Sequence, residues 1–207
     1  MNEIKINALL IAAGKSGRIG IQKALLPYQE QSFISCILKK LFPNFQRIVV
    51  VVGYEAEKVK LELEPFRELA SKIGNQKLTV VENINYEFGM FSSIKLGLMM
   101  LKDADFVLLH MIDQPDLPEN FYLEMKQQVK KSVDWIQPIY NNKNGHPIIF
   151  GKKVLEKILS SDLNSDLRKI KKELELKVFN WNCRYKEILT DIDTLDDYNN
   201  LFSNSQV

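Results

Sequence analysis

The stretch Leu9–Tyr28 reads LLIAAGKSGRIGIQKALLPY, and it decides how the chain is interpreted. It begins as an apolar run typical of a buried strand. Glycines and cations then interrupt that run: Gly14, Lys15, Gly17, Arg18, Gly20 and Lys23. A glycine-rich loop between a first strand and a helix often cradles phosphate with its backbone N–H groups. The stretch is therefore a candidate phosphate-binding loop.

The loop does not fit two familiar phosphate-binding patterns. A Walker A loop needs a glycine where this chain has Leu9, ahead of Gly14-Lys15-Ser16. A dinucleotide-binding fingerprint needs a second glycine where this chain has Lys15. Two interpretations stay open from the loop alone. It wraps a triphosphate with added charge from Arg18 and Lys23, or it is a tight surface turn with solvated cations.

Composition describes an ordinary folded chain, and we expect one domain over residues 1–207. Of its 207 residues, 45% are hydrophobic and 26% charged. A net charge of +2 with scattered basic residues argues against nucleic acid as a partner. Cys36 and Cys183 are too few for a disulfide framework. Without a signal-like start or a membrane-length apolar segment, the expected location is cytoplasmic, with no membrane partner.

Strand-like and helix-like runs alternate along the chain. The runs that predict strands are 4–13, 47–53, 77–81, 105–111, 134–140, 147–150 and 177–180. The runs that predict helices are 32–42, 55–73 with a break at Pro65, a helix through Leu101 capped by Ser92 or Ser93, 119–131, 152–160, 166–173 and 195–202. This order predicts a three-layer α/β/α domain with a mostly parallel sheet. The turn NNKNG (141–145) predicts an added β-hairpin.

Aspartates form a second candidate constellation. Asp113 follows a predicted buried strand in HMIDQPDL, at the edge where ligands of parallel sheets bind. A carboxylate there suits Mg²⁺, which takes one or two carboxylates together with phosphate oxygens. The alternative is a turn or cap aspartate before Pro115. Asp191 and Asp193 of TDIDTLDDY are candidates for a second metal ligand.

Five ordered segments carry a family resemblance over nearly the whole chain. They are the first loop, NINYEFGMFSSIKLGL (83–98), IDQPDL (112–117), NGHPIIF (144–150) and DIDTLDDY (191–198). In these segments the chain resembles the MobA-like NTP transferases, and among them the branch of molybdenum cofactor cytidylyltransferases. The resemblance implies a Rossmann-like nucleotidyltransferase that joins CTP, or another nucleoside triphosphate, to the phosphate of molybdopterin or molybdenum cofactor. It also implies that pyrophosphate is released and that Mg²⁺ is the cofactor.

The resemblance also implies roles for individual residues. Arg18, Lys23 and Asp113 would be catalytic, and Asp113 would bind Mg²⁺ with Asp193 or its rival Asp191. The residues implied to contact the nucleotide or the acceptor are Ala12, Ala13, Gly14, Lys15, Ser16, Gly17, Arg18, Gly20, Lys23, Gly89, Ser92, Ser93 and His146. His110, on a predicted buried strand, is expected to be structural instead.

Two features bear on substrate choice. The double alanine of the loop resembles the cytidylyl-transferring branch. Alanine methyl groups would crowd a larger purine, and this gives a physical basis for choosing a pyrimidine. Ile19, Asn144 and Ser161 depart from the family pattern, and the last two fall where the acceptor is expected. Two alternatives therefore stay open. One is guanylyl or other nucleotidyl transfer to the cofactor or to a sugar or polyol phosphate, and the other is a chaperone that carries the cofactor to a molybdoenzyme.

Overall fold

A computed structural model describes residues 4–15, 19–74 and 77–203 of the chain. Its strands are β1 (Ile6–Ala12), β2 (Pro27–Tyr28), β3 (Gln31–Ser32), β4 (Arg47–Val52), β5 (Lys77–Glu82), β6 (Phe106–Met111), β7 (Trp135–Tyr140), β8 (Lys143–Asn144), β9 (Ile148–Gly151) and β10 (Val178–Asn182). Its helices are α1 (Phe33–Leu41), α2 (Ala56–Glu62), α3 (Glu64–Ile73), α4 (Met90–Met99), α5 (Glu119–Gln127), α6 (Lys152–Ser160), α7 (Leu167–Glu173) and α8 (Leu195–Ser203).

The main sheet runs in the order β10-β7-β9-β6-β1-β4-β5, with β8 paired to β7. β1 lies at its centre and pairs in parallel with both β4 and β6. β9 is antiparallel to both of its neighbours, β6 and β7. The predicted mostly parallel sheet with an added hairpin is confirmed. The β7–β8 hairpin turns through Asn141 and Asn142, both at positive φ, which asparagine tolerates better than most residues.

Helices cover both faces of the sheet, as the predicted three-layer architecture requires. Successive side chains of a strand point to opposite faces, so Leu10 and Leu9 of β1 belong to different cores. One core includes residues of α1, α2, α3 and α5. The other includes residues of α4, α6 and α7. β4 is β-branched throughout its buried residues because it is covered on both faces.

Two predicted helices differ in detail from the structure. The run 55–73 does divide, but at Leu63 and not at the predicted Pro65, which lies in the first turn of α3. The predicted cap at Ser92 or Ser93 is wrong, because α4 begins at Met90 and its N-cap is Gly89 at φ +92°. Ser92 Oγ instead donates to the Gly89 carbonyl at 2.7 Å.

No helix within the described ranges is long and apolar enough to cross a bilayer.

The parallel strands β1, β4, β5 and β6 all end at one edge of the sheet. The loops that leave these strands therefore converge, and they build the candidate site.

Candidate active site

The loops after β1 and β4 are held against each other by close backbone contact. The Tyr54 amide donates to the Ala13 carbonyl at 3.0 Å. A Cβ at Gly53 would lie 2.7 Å from the same carbonyl oxygen and 2.8 Å from Tyr86 Cβ. Only glycine therefore fits at position 53 without displacing a neighbouring loop. This contact forms the floor of the candidate site, at the point where the first loop leaves β1.

A cleft of about 330 Å³ opens beside that floor. It contains the following residues predicted to form the site: Gly14, Lys15, Lys23, Gly89, Ser93 and Asp113. Ile11, Tyr86, Met90, Met111 and Ile112 complete its lining. Ser16, Gly17 and Arg18 lie outside the described residues, so their predicted roles are not tested here. Gly20 has φ +78°, which glycine adopts without strain.

Lys23 points from the first loop toward the C-terminal aspartates. Its Nζ donates to Asp193 Oδ1 at 2.6 Å across a sequence separation of 170 residues. The Lys23 side chain is only 13% exposed, whereas that of Asp193 is 40% exposed. The preceding Gln22 is buried and donates from Nε2 to the Tyr54 carbonyl at 2.7 Å. Gln22 thus ties the first loop to the loop after β4, and this contact holds the Lys23 ammonium group beside the site.

Lys15 connects the two sides of the cleft mouth. Its Nζ forms an ion pair with Glu87 Oε1 at 2.5 Å and lies 5.6 Å from the centre of the Tyr86 ring. The hydrogen bond that Lys15 donates to Glu87, together with the negative charge of that carboxylate, raises the pKa of Lys15. Both side chains are exposed to water, so a stronger anion can compete for this lysine.

Asp113 lies where several negative charges meet. Its carbonyl accepts from the Ile192 amide at 2.9 Å, which brings the flanking Asp191 and Asp193 next to it. Burial raises the pKa of Asp113 to about 6, with further contributions from Asp191 and Asp193 and an opposing effect of Lys23. Asp191 Oδ1 accepts from Gln114 Nε2 at 2.9 Å. The candidate aspartates are therefore neighbours, although their segments are far apart in sequence.

The donor set of this acidic group fits a hard divalent cation. In the described part of the chain, no three His, Cys, Asp or Glu side chains already enclose a metal position. The carboxylates are nevertheless oxygen ligands of the kind that Mg²⁺ and Mn²⁺ take together with phosphate. Burial and, after it, repulsion from Asp191 and Asp193 raise the pKa of Asp113, and a bound cation would offset that repulsion.

Four further candidates, Ala12, Ala13, Ser92 and His146, are not among the residues that line this cleft. Ala12 and Ala13 are each 1% exposed, and they belong to opposite cores. Ser92 and Ser93 both accept from Asn83 Nδ2 at 2.9 Å. The His146 amide donates to the Ile188 carbonyl at 3.0 Å. Removal from water lowers the pKa of the His146 imidazole, while Asp191 acts against that shift. Contacts of these residues with substrate stay predictions.

Sequence reasoning did not single out Asn83, Tyr86 or Gln114. Tyr86 lines the cleft, Asn83 ties the start of α4 to the end of β5, and Gln114 holds Asp191. A signal was available for Gln114, since a glutamine beside a candidate metal ligand at the end of a buried strand is unusual for packing alone. Tyr86 carries no local signal, because its position depends on how three loops meet.

Fold and site together define a class of protein. A glycine loop, a half-buried lysine and an acidic edge surround one cleft of a three-layer α/β/α sandwich, as a site for a phosphorylated ligand and a cation requires. The chain matches the MobA-like NTP transferase domain over residues 8–178. It belongs to that family and is a nucleotidyltransferase.

The relatives of this chain include a protein named as a cytidylyltransferase and proteins named as probable guanylyltransferases. The chain is 26% identical over 93% of its length to the molybdenum cofactor cytidylyltransferase of Escherichia coli, of which it also covers 93%. It is 27% identical over 72% of its length to a probable molybdenum cofactor guanylyltransferase of Bacillus cereus, of which it covers 70%. The fold is similar to that of Rv0371c from Mycobacterium tuberculosis, with a TM-score of 0.80, 22% identity and coverage of 98% and 100% of the two chains.

Proposed function

We propose that this nucleotidyltransferase transfers CMP from CTP to the phosphate of molybdopterin or molybdenum cofactor, with Mg²⁺ as its metal. The observation that carries the proposal is the Lys23–Asp193 contact beside Asp113, in the cleft that begins at the glycine loop. The similarity to a cytidylyltransferase over 93% of both chains supports the cytidylyl form. The double alanine at 12 and 13 agrees with it.

The proposed reaction needs no nucleophile from the protein. An oxygen of the acceptor phosphate attacks the α-phosphorus of CTP, the bond between that phosphorus and the α,β-bridging oxygen breaks, and pyrophosphate leaves with the electron pair. Lys15 and Lys23 would neutralise the triphosphate as charge moves onto the leaving group. The cleft would align the two reactants, which is a large part of catalysis in such displacements.

Asp113 would hold the metal together with Asp191 or Asp193. A bound divalent cation supplies charge neutralisation on the phosphate oxygens. Lys23 Nζ donates to Asp193 Oδ1 at 2.6 Å. We propose that Lys23 transfers to the triphosphate when the nucleotide binds, which would release Asp193 from this ion pair.

One assay tests the proposal directly. Purified protein with Mg²⁺ and molybdopterin cofactor is given CTP, GTP, ATP or UTP, and pyrophosphate release is measured. We expect release with CTP, reduced roughly a hundredfold or more in Lys23→Ala and Asp113→Asn. Lys39→Ala and Asp196→Asn, both at exposed positions, serve as controls. Preference for GTP would replace the proposal with guanylyl transfer. Tight cofactor binding without release from any triphosphate would favour the chaperone alternative.

A further inference from the structure

Gln114 makes contacts that packing does not require. It follows Asp113 in the chain, it is 2% exposed, and its Nε2 donates twice. One bond goes to Asp191 Oδ1 at 2.9 Å and the other to the Ile188 carbonyl at 3.1 Å. The side chain thus joins the end of β6 to the C-terminal segment that carries Asp191.

The orientation of this amide follows from its partners. Both groups that face Nε2 are acceptors, since one is a carboxylate oxygen and the other a carbonyl oxygen. A flipped amide would place Oε1 against both of them without a hydrogen. The nitrogen therefore faces Asp191, and Oε1 points away from it.

That orientation leaves a buried acceptor unsatisfied. Gln114 Oε1 has no hydrogen-bond partner among the residues that the structure describes. A buried polar atom without a partner is destabilising, and an apolar side chain of similar shape would avoid that cost. Gln114 is therefore a poor choice for stability and a good one for holding a carboxylate.

We infer that Gln114 is a positioning residue that holds the Asp191 carboxylate beside Asp113 for the divalent cation of the nucleotide. The inference rests on the proposed nucleotidyl transfer for its metal, but not on the identity of the base. Asp193, which lies on the same segment as Asp191, already has Lys23 as a partner. Gln114 gives Asp191 a separate support, so the two aspartates are held independently.

Gln114→Met separates positioning from packing. Methionine is close in volume and removes the unsatisfied oxygen. The Ile188 carbonyl keeps the His146 amide as a donor at 3.0 Å, and Asp191 is exposed to water, so the substitution leaves neither acceptor stranded. We expect the melting temperature to stay the same or to rise.

The decisive readout is the gain in nucleotide affinity that the metal provides. Calorimetry gives the dissociation constant of CTP without metal, in EDTA, and with Mn²⁺, and no acceptor is present. Loss of an outer partner of a metal ligand commonly costs 10- to 100-fold in metal affinity. In Gln114→Met we expect the Mn²⁺-dependent gain to fall roughly tenfold or more, while the constant in EDTA stays as in the wild type.

A double-mutant cycle assigns the effect to Asp191. Asp191→Asn should lose a similar share of the gain, and Gln114→Met combined with Asp191→Asn should lose little more than either alone. Tyr122→Phe, which removes a buried hydrogen bond to His110 away from the cleft, should keep the full gain.

Three results would overturn the inference. They are an unchanged Mn²⁺ gain in Gln114→Met, additive losses in the double variant, and no Mn²⁺ gain in the wild-type protein. Repeating the titration with GTP separates this test from the proposed function. A protein that prefers GTP but shows the same coupling would refute the cytidylyl assignment and leave the role of Gln114 supported.

Discussion

At the scale of single residues, the site combines groups whose charges are unfavourable in the folded chain. Asp113 is the clearest case, because burial and two neighbouring aspartates raise its pKa to about 6. The pKa of His110, near the same end of β6, shifts in the opposite direction, because burial lowers it to about 3. Both groups make stability depend on pH, and they do so with opposite signs.

Asp113→Asn should stabilise the protein while it abolishes transfer. The wild-type carboxyl holds a proton more tightly when folded, so it gains stability as the pH falls from about 6 toward 3.8 and bears the full cost above 6. The variant should therefore be more stable by about 1–2 kcal/mol at pH 8, a figure reduced for solvent screening. Urea unfolding at pH 8 and pH 4.5 checks this. An equal advantage at both pH values would contradict it.

His110→Gln should remove a loss of stability in acid. His110 Nδ1 lies 2.6 Å from the Met111 carbonyl, and Nε2 lies 2.8 Å from the Tyr122 hydroxyl. Both nitrogens of the neutral imidazole therefore have a hydrogen-bond partner. Below pH 6.5 the unfolded histidine takes up a proton that the folded one refuses. The wild type should therefore lose stability relative to the variant as the pH falls from 6.5 to 4, with a slope that approaches about 1.4 kcal/mol per pH unit in the lower part of that range. Urea unfolding of both proteins over that range measures the slope. Parallel curves would refute the prediction.

At the scale of elements, the ends of strands and the loops that follow them determine the cleft. α4 begins only after Gly89, and Asn83 at the end of β5 binds Ser92 and Ser93 in its first turn. At the start of α8, Asp197 accepts from the amide and hydroxyl of Thr194. These end contacts hold the segments that carry the candidate residues.

Gly53→Ala should disturb the floor of the cleft. The new methyl group would press on the Ala13 carbonyl and on Tyr86, and a backbone oxygen cannot move aside cheaply. We expect a loss of about 1–3 kcal/mol in the free energy of unfolding and weaker nucleotide binding. Gly14→Ala is the matched control, since a Cβ there meets nothing within 4 Å. It should keep its stability, and a loss as large as that of Gly53→Ala would contradict this explanation.

At the scale of the whole molecule, an early loop and a late segment of the described chain meet at the site. The first loop carries Lys23, and the segment before α8 carries Asp193, and together they cover the edge of the sheet near Asp113. Strands from near both ends of the described chain join one sheet, and one domain over residues 1–207 stays a prediction. The Lys15–Glu87 pair joins the first loop to the loop after β5, and residues of both loops line the cleft.

Glu87→Gln should strengthen nucleotide binding without changing the melting temperature. If the proposed function is right, the glutamate would compete with the triphosphate for Lys15 and would repel the incoming anion. Its removal should tighten CTP binding roughly two- to fivefold, the range expected of an exposed ion pair, with less effect at high salt. Calorimetry at two salt concentrations checks this. Glu57→Gln, at another exposed pair, should leave affinity unchanged, and an equal gain there would point to net charge instead.

Local patterns predict the helices and the longer strands of this fold, but not the short strands β2, β3 and β8. The β-branched run of β4, the apolar spacing of α1 and Pro65 in the first turn of α3 each depend on a few adjacent residues. The predicted cap of α4 is wrong because Gly89 is the N-cap and Ser92 lies in the first turn, where its hydroxyl donates to the Gly89 carbonyl. The first loop and Asp113 were assigned to one edge because parallel strands end together.

The sequence by itself determined the family, the three-layer class and the main charged residues of the cleft, since these follow from short contiguous motifs. Only the tertiary structure decided that β9 lies between β6 and β7, that Lys23 binds Asp193 and that Gln114 binds Asp191. Those contacts join residues 77 and 170 positions apart. No local periodicity encodes such pairs, because they depend on how the chain closes around the completed sheet.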